Sequence, residues 1–485
     1  MWTGLMGLVF VPLYIHFMGI EAYGLIGIFA TLLSVFGLLD MGLSSTLNRE
    51  LARLSVRDGK AQEMRDLVRT LEIPYWLVGL LISVIVTALS PFIAYRWVKA
   101  ECLSPKTVQT AIMIMGLVVA FQWPISFYSG GLMGLQRQVL LNVINVVMAT
   151  VRGFGAVLIL WLVSPTVEAF FSWQIVVSVV HISLFVFFLW RSLPYTTKAP
   201  RFRRDLLLNI WRFAAGMTGI VVTSTILTQL DKIILSRMLS LEMFGYYTLA
   251  SVVAMTLFRF VGPIFSATYP RFSSLVALGA TEEITKLYHK SAQLVSVLVL
   301  PAALVLAFFS KEILLLWTQS PETARHTHVL VSILVIGTAI YGLVHIPYAL
   351  QLAFGWALLP FYVNLVSVLL LVPLILFLTK WYGAVGAASV WVILNGGYLI
   401  FTIQIMHRRL LPTEKWRWYL EDVGRPLFAA VVVCMVSRFV IQPDWSPFLL
   451  IVSLGLVSGG TFLASCCAAN QLGAVQRVKL FLTRL

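Results

Sequence analysis

The run VLVLPAALVLAFF at positions 297–309 and the run LVSVLLLVPLILFL at positions 365–378 decide the class of fold. Both would present apolar side chains on all sides of a helix. A membrane-spanning β-strand would instead alternate apolar and polar residues at every second position. The two runs therefore predict α-helices that are surrounded by lipid or by other apolar helices.

The composition of the whole chain supports this assignment. Hydrophobic residues make up 60% and charged residues 11% of the chain, and the mean hydropathy is +0.92, whereas soluble proteins are about half apolar and about a quarter charged. A helix that crosses the roughly 30 Å of hydrocarbon needs about 20 apolar residues. Fourteen such segments are predicted, at 3–18, 24–47, 73–97, 107–133, 139–164, 166–190, 214–238, 243–268, 292–317, 327–353, 356–379, 382–407, 424–441 and 446–468.

Signals for other classes of protein are missing from the sequence. The first segment has neither a basic stretch before it nor a small-residue cleavage site, so it is interpreted as a membrane helix and not as a signal peptide. No Gly-x-x-x-x-Gly-Lys-Ser/Thr motif exists, which argues against direct ATP hydrolysis. The four cysteines define no disulfide framework, and the histidines show no metal-ligand spacing. No cofactor is predicted.

The net charge is +15, and the positions of the basic residues indicate their role. Most of the 35 Lys and Arg residues lie in the C-terminal tail or in loops that follow even-numbered segments, above all 48–72 and 191–213. Basic loops stay on the cytoplasmic side of bacterial inner membranes. We therefore expect a multi-pass inner-membrane protein with both termini in the cytoplasm, in contact with anionic lipid headgroups and not with nucleic acid.

An internal repeat divides the predicted segments. Glu21-Ala22-Tyr23-Gly24-Leu25 follows segment 1, and Glu242-Met243-Phe244-Gly245-Tyr246 follows segment 7, at an offset of 221 residues. A weaker match places Asn145 against Asn364, at an offset of 219. Chance recurrence of short apolar words is the alternative explanation. Duplicated halves are common in transporters.

The repeat predicts an all-α polytopic protein with two pseudo-symmetric six-helix lobes and two further helices. Because six is even, both lobes would enter the bilayer in the same orientation. The predicted parts are an N-terminal lobe at 1–190, a basic cytoplasmic connector at 191–213, a C-terminal lobe at 214–408, and two additional helices with a basic tail at 409–485.

Three stretches resemble a known family. FMGIEAYGLIGIFATLLSVFGLLDMGLSSTLNRELA at 17–52, QLDKIILSRMLSLEMFGYYTLA at 229–250 and LVSVLLLVPLILFLTKWYGAVGAASVWVILN at 365–395 are similar to polysaccharide-transporter-type oligosaccharide flippases. These flippases belong to the multidrug/oligosaccharidyl-lipid/polysaccharide exporter superfamily. Members of the family usually begin with an extra polar stretch, which this sequence lacks before its first helix.

The resemblance implies a function. A member of this family would move a polyprenyl-pyrophosphate-linked sugar, such as an O-antigen or capsule repeat unit, from the cytoplasmic to the periplasmic leaflet. Its partners would be this lipid-linked sugar, membrane lipids and other polysaccharide-assembly proteins. The superfamily also contains multidrug exporters and the lipid II flippase, so the fold does not decide the substrate.

Charged residues inside the predicted segments are candidates for the transport site, because burying a charge in the bilayer costs from about 2.5 to more than 10 kcal/mol. Arg suits the binding of a pyrophosphate through its paired donors. We predict Arg152 and Arg259 as the main cavity cations, one in each lobe. Permanent pairing of Arg259 with Asp231 or Asp40 is the alternative.

The remaining candidates have weaker support. Asp231 and Lys232 are neighbours on one helix, so one of them is expected to face the cavity, and Asp231 would bind a proton or sodium ion or belong to a structural pair. Asp40 is interpreted mainly as a structural residue. Arg49 and Arg271 follow matching helices at the predicted cytoplasmic mouth, where they would capture the headgroup or simply fix the topology.

The predicted mechanism is alternating access without any broken bond, so the protein is not expected to be an enzyme. The membrane potential, H⁺ or Na⁺ would drive the step. One rival is a multidrug or metabolite exporter of the same superfamily. A membrane polysaccharide polymerase or ligase is a further rival, but such an enzyme needs a large outer loop, and the predicted outer loops have only on the order of ten residues.

Overall fold

A computed structural model of the chain describes residues 2–206, 228–356, 358–441 and 445–469. Within these ranges the regular elements are helices, and one isolated bridge joins Lys99 to Ser240. The first eight helices are α1 (Trp2–Val9), α2 (Val11–Gly37), α3 (Leu43–Ser55), α4 (Ala61–Phe92), α5 (Pro105–Gln122), α6 (Ile125–Gly134), α7 (Gln138–Leu162) and α8 (Val167–Ser192). The predicted all-α architecture is confirmed.

The second half of the chain continues the same pattern. Helical residues 228–238 are named α9. They are followed by α10 (Leu241–Met255), α11 (Phe258–Ala277), α12 (Thr281–Phe308), α13 (Ser310–Thr318), α14 (Pro321–Ala353), α15 (Leu358–Gly397), α16 (Ile403–Leu410), α17 (Lys415–Arg417), α18 (Arg425–Val440) and α19 (Pro447–Ala468). Short π-helical segments, Tyr398–Thr402 and Trp418–Gly424, connect α15 to α16 and α17 to α18.

Ten helical stretches of the described residues are long and apolar enough to cross a membrane, and α10 and α11 form an eleventh with a bend of 41°. Two of the ten are interrupted by glycines with positive φ, namely Gly19 (84°) and Gly383 (57°). The stretch Leu358–Leu410 has 53 residues, about 80 Å of helix, which is far more than one crossing requires. Gly383 therefore divides it into two spans.

With these two divisions, thirteen of the fourteen predicted segments have a helical counterpart in the described residues. The seventh, 214–238, lies mostly outside them, and only 228–238 is described. Several helices also begin earlier than the apolar runs. For example, α4 begins at Ala61 and α12 at Thr281, because polar first turns extend these helices beyond the hydrocarbon. The count of about fourteen spans is consistent with the structure.

The chain folds into two compact units, Met1–Gly245 and Tyr246–Leu485. In the first unit α4, α5 and α8 pack together beside the pairs α3 with α6 and α7 with α8. In the second, α12 packs against α14, α18 and α19. The lobe limits predicted from the repeat differ from these unit limits, and the lobe assignment stays a prediction.

Apolar side chains also cover the outside of the helices. Leu77, Leu80, Leu81 and Val84 form an exposed stripe on α4. A soluble protein rarely exposes a continuous apolar surface of this kind. The stripe is the expected surface of a helix that faces lipid, and the chain is accordingly a multi-pass membrane protein.

The described part of the basic connector lies along α4. The backbone N–H of Arg201 donates to Asp66 Oδ1 at 2.8 Å, and that of Arg203 donates to Thr70 Oγ1 at 2.9 Å. Arg65 donates to the carbonyl oxygen of Pro194 at 3.3 Å. This segment is therefore fixed to the first turns of α4.

Candidate functional site

Arg152, the first predicted cavity cation, lies on α7 and is partly buried. Its charge is close enough to act on Tyr14 of α2 and on His181 of α8. Among the described residues of this unit, no acidic side chain pairs with it. Arg152 is therefore a cation inside a membrane-spanning helix, and the described residues of its own unit supply no counter-charge.

Other polar groups on α8 also lack protein partners. Neither ring nitrogen of His181 has a hydrogen-bond partner in the described residues, and the same is true of Trp173 Nε1. The indole ring of Trp173 lies against Gly155 of α7, where a Cβ would overlap it. Unpaired buried donors and acceptors are costly. Arg152, His181 and Trp173 can each form a hydrogen bond to a polar or anionic ligand, and only Arg152 was predicted from the sequence as a site residue.

Arg259, the second predicted cation, follows the bend between α10 and α11, and its side chain is exposed. Its backbone N–H donates to the carbonyl oxygen of Thr256 at 3.0 Å. No acidic side chain among the described residues of its own unit forms an ion pair with it. An exposed guanidinium within a membrane-spanning stretch is tolerated where it faces a water-filled cavity.

Asp231 and Lys232 lie on α9 and contact each other, since Lys232 Nζ is 3.8 Å from Asp231 Oδ1. Lys232 also donates to the carbonyl oxygen of Thr228 at 2.9 Å. Lys232 lines a mostly apolar cavity of about 290 Å³, together with residues such as Thr31 of α2 and Trp97, which follows α4. Lys232 therefore lines this cavity, and the expectation that one of the two neighbours faces the transport cavity stays a prediction.

Asp40 ends a short 3₁₀ turn, Leu38–Asp40, before α3. It accepts hydrogen bonds from Ser44 Oγ at 2.8 Å, from the Tyr75 hydroxyl and, at 3.5 Å, from Ser126 Oγ. The Tyr75 ring stacks on Trp123 with ring centroids 4.6 Å apart. These bonds connect α3, α4 and α6 through one carboxylate, which supports the structural interpretation of Asp40.

The two arginines predicted for the cytoplasmic mouth have exposed side chains. Arg49 pairs with Glu50 at 2.8 Å, and Arg271 lies 3.8 Å from Glu283. Exposed ion pairs of this type contribute about 0–1 kcal/mol. Their geometry fits both headgroup capture and a topogenic role.

Glu72 on α4 was not identified from the sequence as a candidate site residue. Its Oε1 accepts a hydrogen bond from the Tyr128 hydroxyl at 2.6 Å and from Trp190 Nε1 at 3.2 Å, and Arg69 pairs with Oε2 at 2.9 Å. The predicted segment began at 73, so Glu72 was assigned to a loop. The signal that could have identified it is the helical pattern that continues upstream to residue 61.

Glu21, the first residue of the repeated motif, holds the loop between α4 and α5. Its carboxylate accepts hydrogen bonds from the backbone N–H groups of Glu101 at 2.5 Å, Cys102 at 2.8 Å and Leu103 at 2.9 Å. The same negative charge raises the pKa of the Cys102 thiol, which is exposed. This loop was expected on the periplasmic side.

The loop also contacts the chain around α9 and α10. Leu241 N–H donates to the carbonyl oxygen of Lys99 at 2.8 Å, and Trp97 Nε1 donates to Ser236 Oγ at 3.0 Å. The Arg237 guanidinium lies 5.3 Å from the centre of the Trp97 ring. These contacts join the ends of the two repeated segments.

A cluster of titratable groups in the second unit was not predicted either. His289 of α12 lies between Asp422 and Glu414, and both carboxylates are within hydrogen-bond distance of the imidazole ring. In the described part of the chain, no group of three His, Cys, Asp or Glu side chains is arranged to hold a metal ion. The two carboxylates are instead held by the imidazole ring that lies between them.

Taken together, the described helices define a multi-pass membrane protein. Residues 1–276 match the family model described as polysaccharide biosynthesis protein, and residues 217–377 match the model of the MatE family. The first match covers more than half of the chain. The chain therefore belongs to the polysaccharide biosynthesis protein family, within the multidrug/oligosaccharidyl-lipid/polysaccharide exporter superfamily.

Individual relatives agree with this assignment. A Shigella flexneri protein named as a candidate O-antigen transporter is 20% identical over 375 residues, which cover 77% of this chain and 87% of that protein. The solved structure of the lipid II flippase MurJ in an inward closed conformation is similar over 97% of both chains, with 14% identity and a TM-score of 0.71. An inward-facing multidrug resistance MATE family transporter is similar over 85% of this chain and 94% of its own, with 13% identity and a TM-score of 0.68.

Proposed function

We propose that this protein is a flippase that moves a polyprenyl-pyrophosphate-linked oligosaccharide from the cytoplasmic to the periplasmic leaflet for cell-surface polysaccharide assembly. The observation that carries the proposal is the pair Arg152 and Arg259. Each lies in a membrane-spanning helix without an acidic partner among the described residues of its own unit. Such a cation is costly in lipid unless an anion or water compensates it.

The chemistry of the substrate fits these side chains. A pyrophosphate is an anion, and a guanidinium binds its oxygens through two parallel N–H donors. His181 and Trp173 have ring nitrogens without a hydrogen-bond partner in the described residues, and these nitrogens could bind phosphate or sugar hydroxyl groups. The polyprenyl tail would remain in lipid while the headgroup crosses the membrane by alternating access.

The proposal includes an orientation and a driving force. The protein would lie in the inner membrane with both termini in the cytoplasm. An inside-negative potential favours outward movement of an anion by about 2.3 kcal/mol per charge per 100 mV, and H⁺ or Na⁺ exchange would add to it. Other polysaccharide-assembly proteins would supply and consume the lipid-linked sugar.

A multidrug exporter of the same superfamily is the second candidate, and the match of residues 217–377 to the MatE family favours it. Many exported drugs are cations, and two arginines that lack an acidic partner among the described residues of their own units would repel them. A polymerase or ligase is less well supported, because the relatives are named as transporters and flippases.

A deletion strain distinguishes the two transport functions. If the protein is a flippase, the lipid-linked oligosaccharide accumulates in the cytoplasmic leaflet of the deletion strain, surface polysaccharide is lost, and drug susceptibility is unchanged. Increased drug susceptibility with normal surface polysaccharide would contradict the proposal. Complementation with a plasmid copy is the control for effects on neighbouring genes.

A further inference from the structure

His289 on α12 is buried between two carboxylates that come from a different part of the chain. Its Nδ1 lies 2.5 Å from Asp422 Oδ2, and its Nε2 lies 2.9 Å from Glu414 Oε2. Asp422 belongs to the π-helical segment Trp418–Gly424, and Glu414 belongs to the loop that follows α16. The cluster therefore ties the entrance of the two additional C-terminal helices to α12.

Counting protons shows what this geometry requires. A carboxylate only accepts hydrogen bonds, and a neutral imidazole has a single N–H. Two imidazole-to-carboxylate hydrogen bonds therefore need one proton more than a neutral His289 and two ionised carboxylates provide. With that extra proton the cluster has a charge of −1, and without it the charge is −2 and a nitrogen lone pair faces a carboxylate oxygen.

The neighbouring His407 does not have this requirement. Its Nδ1 lies 2.9 Å from the carbonyl oxygen of Ile403, and its Nε2 lies 3.2 Å from the Tyr288 hydroxyl. A neutral ring that donates from Nδ1 and accepts at Nε2 satisfies both contacts. His289 therefore differs from His407 in its need for an extra proton.

The two contacts of His289 are unequal. The Asp422 side chain is fully buried and also accepts a hydrogen bond from Gln293 Nε2 at 2.9 Å. The Glu414 side chain is 21% exposed, and a second cation, Arg417 Nη1, lies 3.5 Å from it. When the extra proton leaves, Glu414 is the partner that can separate and keep a counter-charge.

We propose that His289, Asp422 and Glu414 form a proton-binding site, and that the bound proton fastens the loop at 411–414 to α12. The charged and titratable groups near the cluster are Tyr288 of α12, His407 of α16, Lys415 and Arg417 of α17, and Tyr419 of the π-helical segment that follows. Loss of the proton releases Glu414 toward Arg417 and frees the loop. This inference goes beyond the proposed transport function and does not depend on the substrate.

Spin-label mobility tests the proposal directly. In full-length protein the two exposed cysteines are replaced by Cys102→Ser and Cys467→Ser, and a nitroxide is attached to a new cysteine, Thr413→Cys. The spectrum of the nitroxide is recorded in lipid vesicles between pH 5 and pH 9. We expect a change from immobile to mobile as the pH rises, over about two pH units, the width of a one-proton titration.

Two variants separate a proton site from a merely structural contact. Glu414→Gln places an amide donor opposite a neutral imidazole, so the contact no longer needs the extra proton, and the label stays immobile across the whole pH range. His289→Gln abolishes the transition. Glu421→Gln, which changes an exposed carboxylate that is also near Arg417, retains it.

A label whose mobility does not change with pH in the otherwise unaltered background would overturn the proposal. A transition that persists in Glu414→Gln would also overturn it, even if His289→Gln does not fold. The measurement uses no transported substrate, so a failure of the flippase function leaves this test unaffected.

Discussion

Gly24 of α2 lies against the backbone of α10, and Gly245 of α10 lies against the backbone of α2. A Cβ on Gly24 would lie 2.5 Å from the carbonyl oxygen of Leu241, and a Cβ on Gly245 would lie even closer to the carbonyl oxygen of Ile20. Both pairs, 20 with 241 and 24 with 245, have the offset of 221 that the sequence repeat has. The repeated glycines therefore allow α2 and α10 to cross with their backbones in contact.

Replacement of either glycine tests this crossing. We expect Gly24→Ala and Gly245→Ala each to destabilise the protein by about 1–3 kcal/mol, because the new methyl group must displace a backbone carbonyl. The matched control is Gly7→Ala on α1, where a Cβ would meet no atom within 4 Å. Thermal unfolding in detergent is the measurement, and equal midpoints for all three variants would contradict the close crossing.

Alkylation of Cys102 tests the electrostatic effect of Glu21. The carboxylate of Glu21 raises the thiol pKa of Cys102, and Glu101 contributes least among its neighbours. Because the thiolate is the reactive form, Glu21→Gln should lower this pKa, move the pH profile of alkylation to lower pH, and speed the reaction at pH 8.

The reaction is followed in a Cys467→Ser background so that the other exposed thiol does not react. Glu101→Gln is the control and should move the profile much less. If Glu21→Gln leaves the profile where it was, Glu21 does not determine the pKa of Cys102.

Labelling from one side of the membrane tests the proposed orientation. If the proposed orientation is correct, the α4–α5 loop lies in the periplasm, and Cys102 should react with a membrane-impermeant maleimide in intact spheroplasts. A cysteine at Thr413→Cys, in a Cys102→Ser and Cys467→Ser background, should react only after permeabilisation. The reverse pattern would show that the chain is inserted in the opposite orientation.

A disulfide between the repeated segments tests alternating access. Lys99 and Ser240 are bridge partners, so Lys99→Cys with Ser240→Cys, in a Cys102→Ser background, should form a cross-link on oxidation. If this end must open to release the headgroup, the cross-link stops transport and a reductant restores it.

The control for that cross-link is Ser310→Cys with Ser332→Cys, whose hydroxyl oxygens are 3.0 Å apart between α13 and α14. This pair should form a disulfide without loss of transport. Full transport by the cross-linked Lys99→Cys and Ser240→Cys protein would mean that this end of the molecule does not need to open.

The spans could be predicted from the sequence because the bilayer requires long apolar helices and tolerates few charges. Gly383 shows why the prediction was useful even where the helix looks continuous, since the apolar runs at 356–379 and 382–407 had already indicated two spans. The polar beginnings of α4 and α12 were missed because they extend beyond the apolar runs.

The sites were harder to predict. Arg152 stood out because a charge inside an apolar run is conspicuous, but its neighbours His181 and Trp173 gain meaning only when α7 and α8 are packed together. His289 and Asp422 are 133 residues apart in the chain, and each lies near the end of an apolar run. No local pattern could have brought them together.

The most direct test of the central claim is transport of a labelled polyprenyl-pyrophosphate sugar in reconstituted vesicles, measured as accessibility of the sugar to an impermeant glycosidase. We predict faster exposure of the sugar than in empty vesicles. Arg152→Gln and Arg259→Gln should each slow it about tenfold or more, because each loses a charge-assisted hydrogen bond. The matched control is Arg425→Gln, which changes an exposed arginine paired with Glu421 and should transport normally. Exposure no faster than in empty vesicles would contradict the flippase function, and normal transport by both arginine variants would contradict the proposed site.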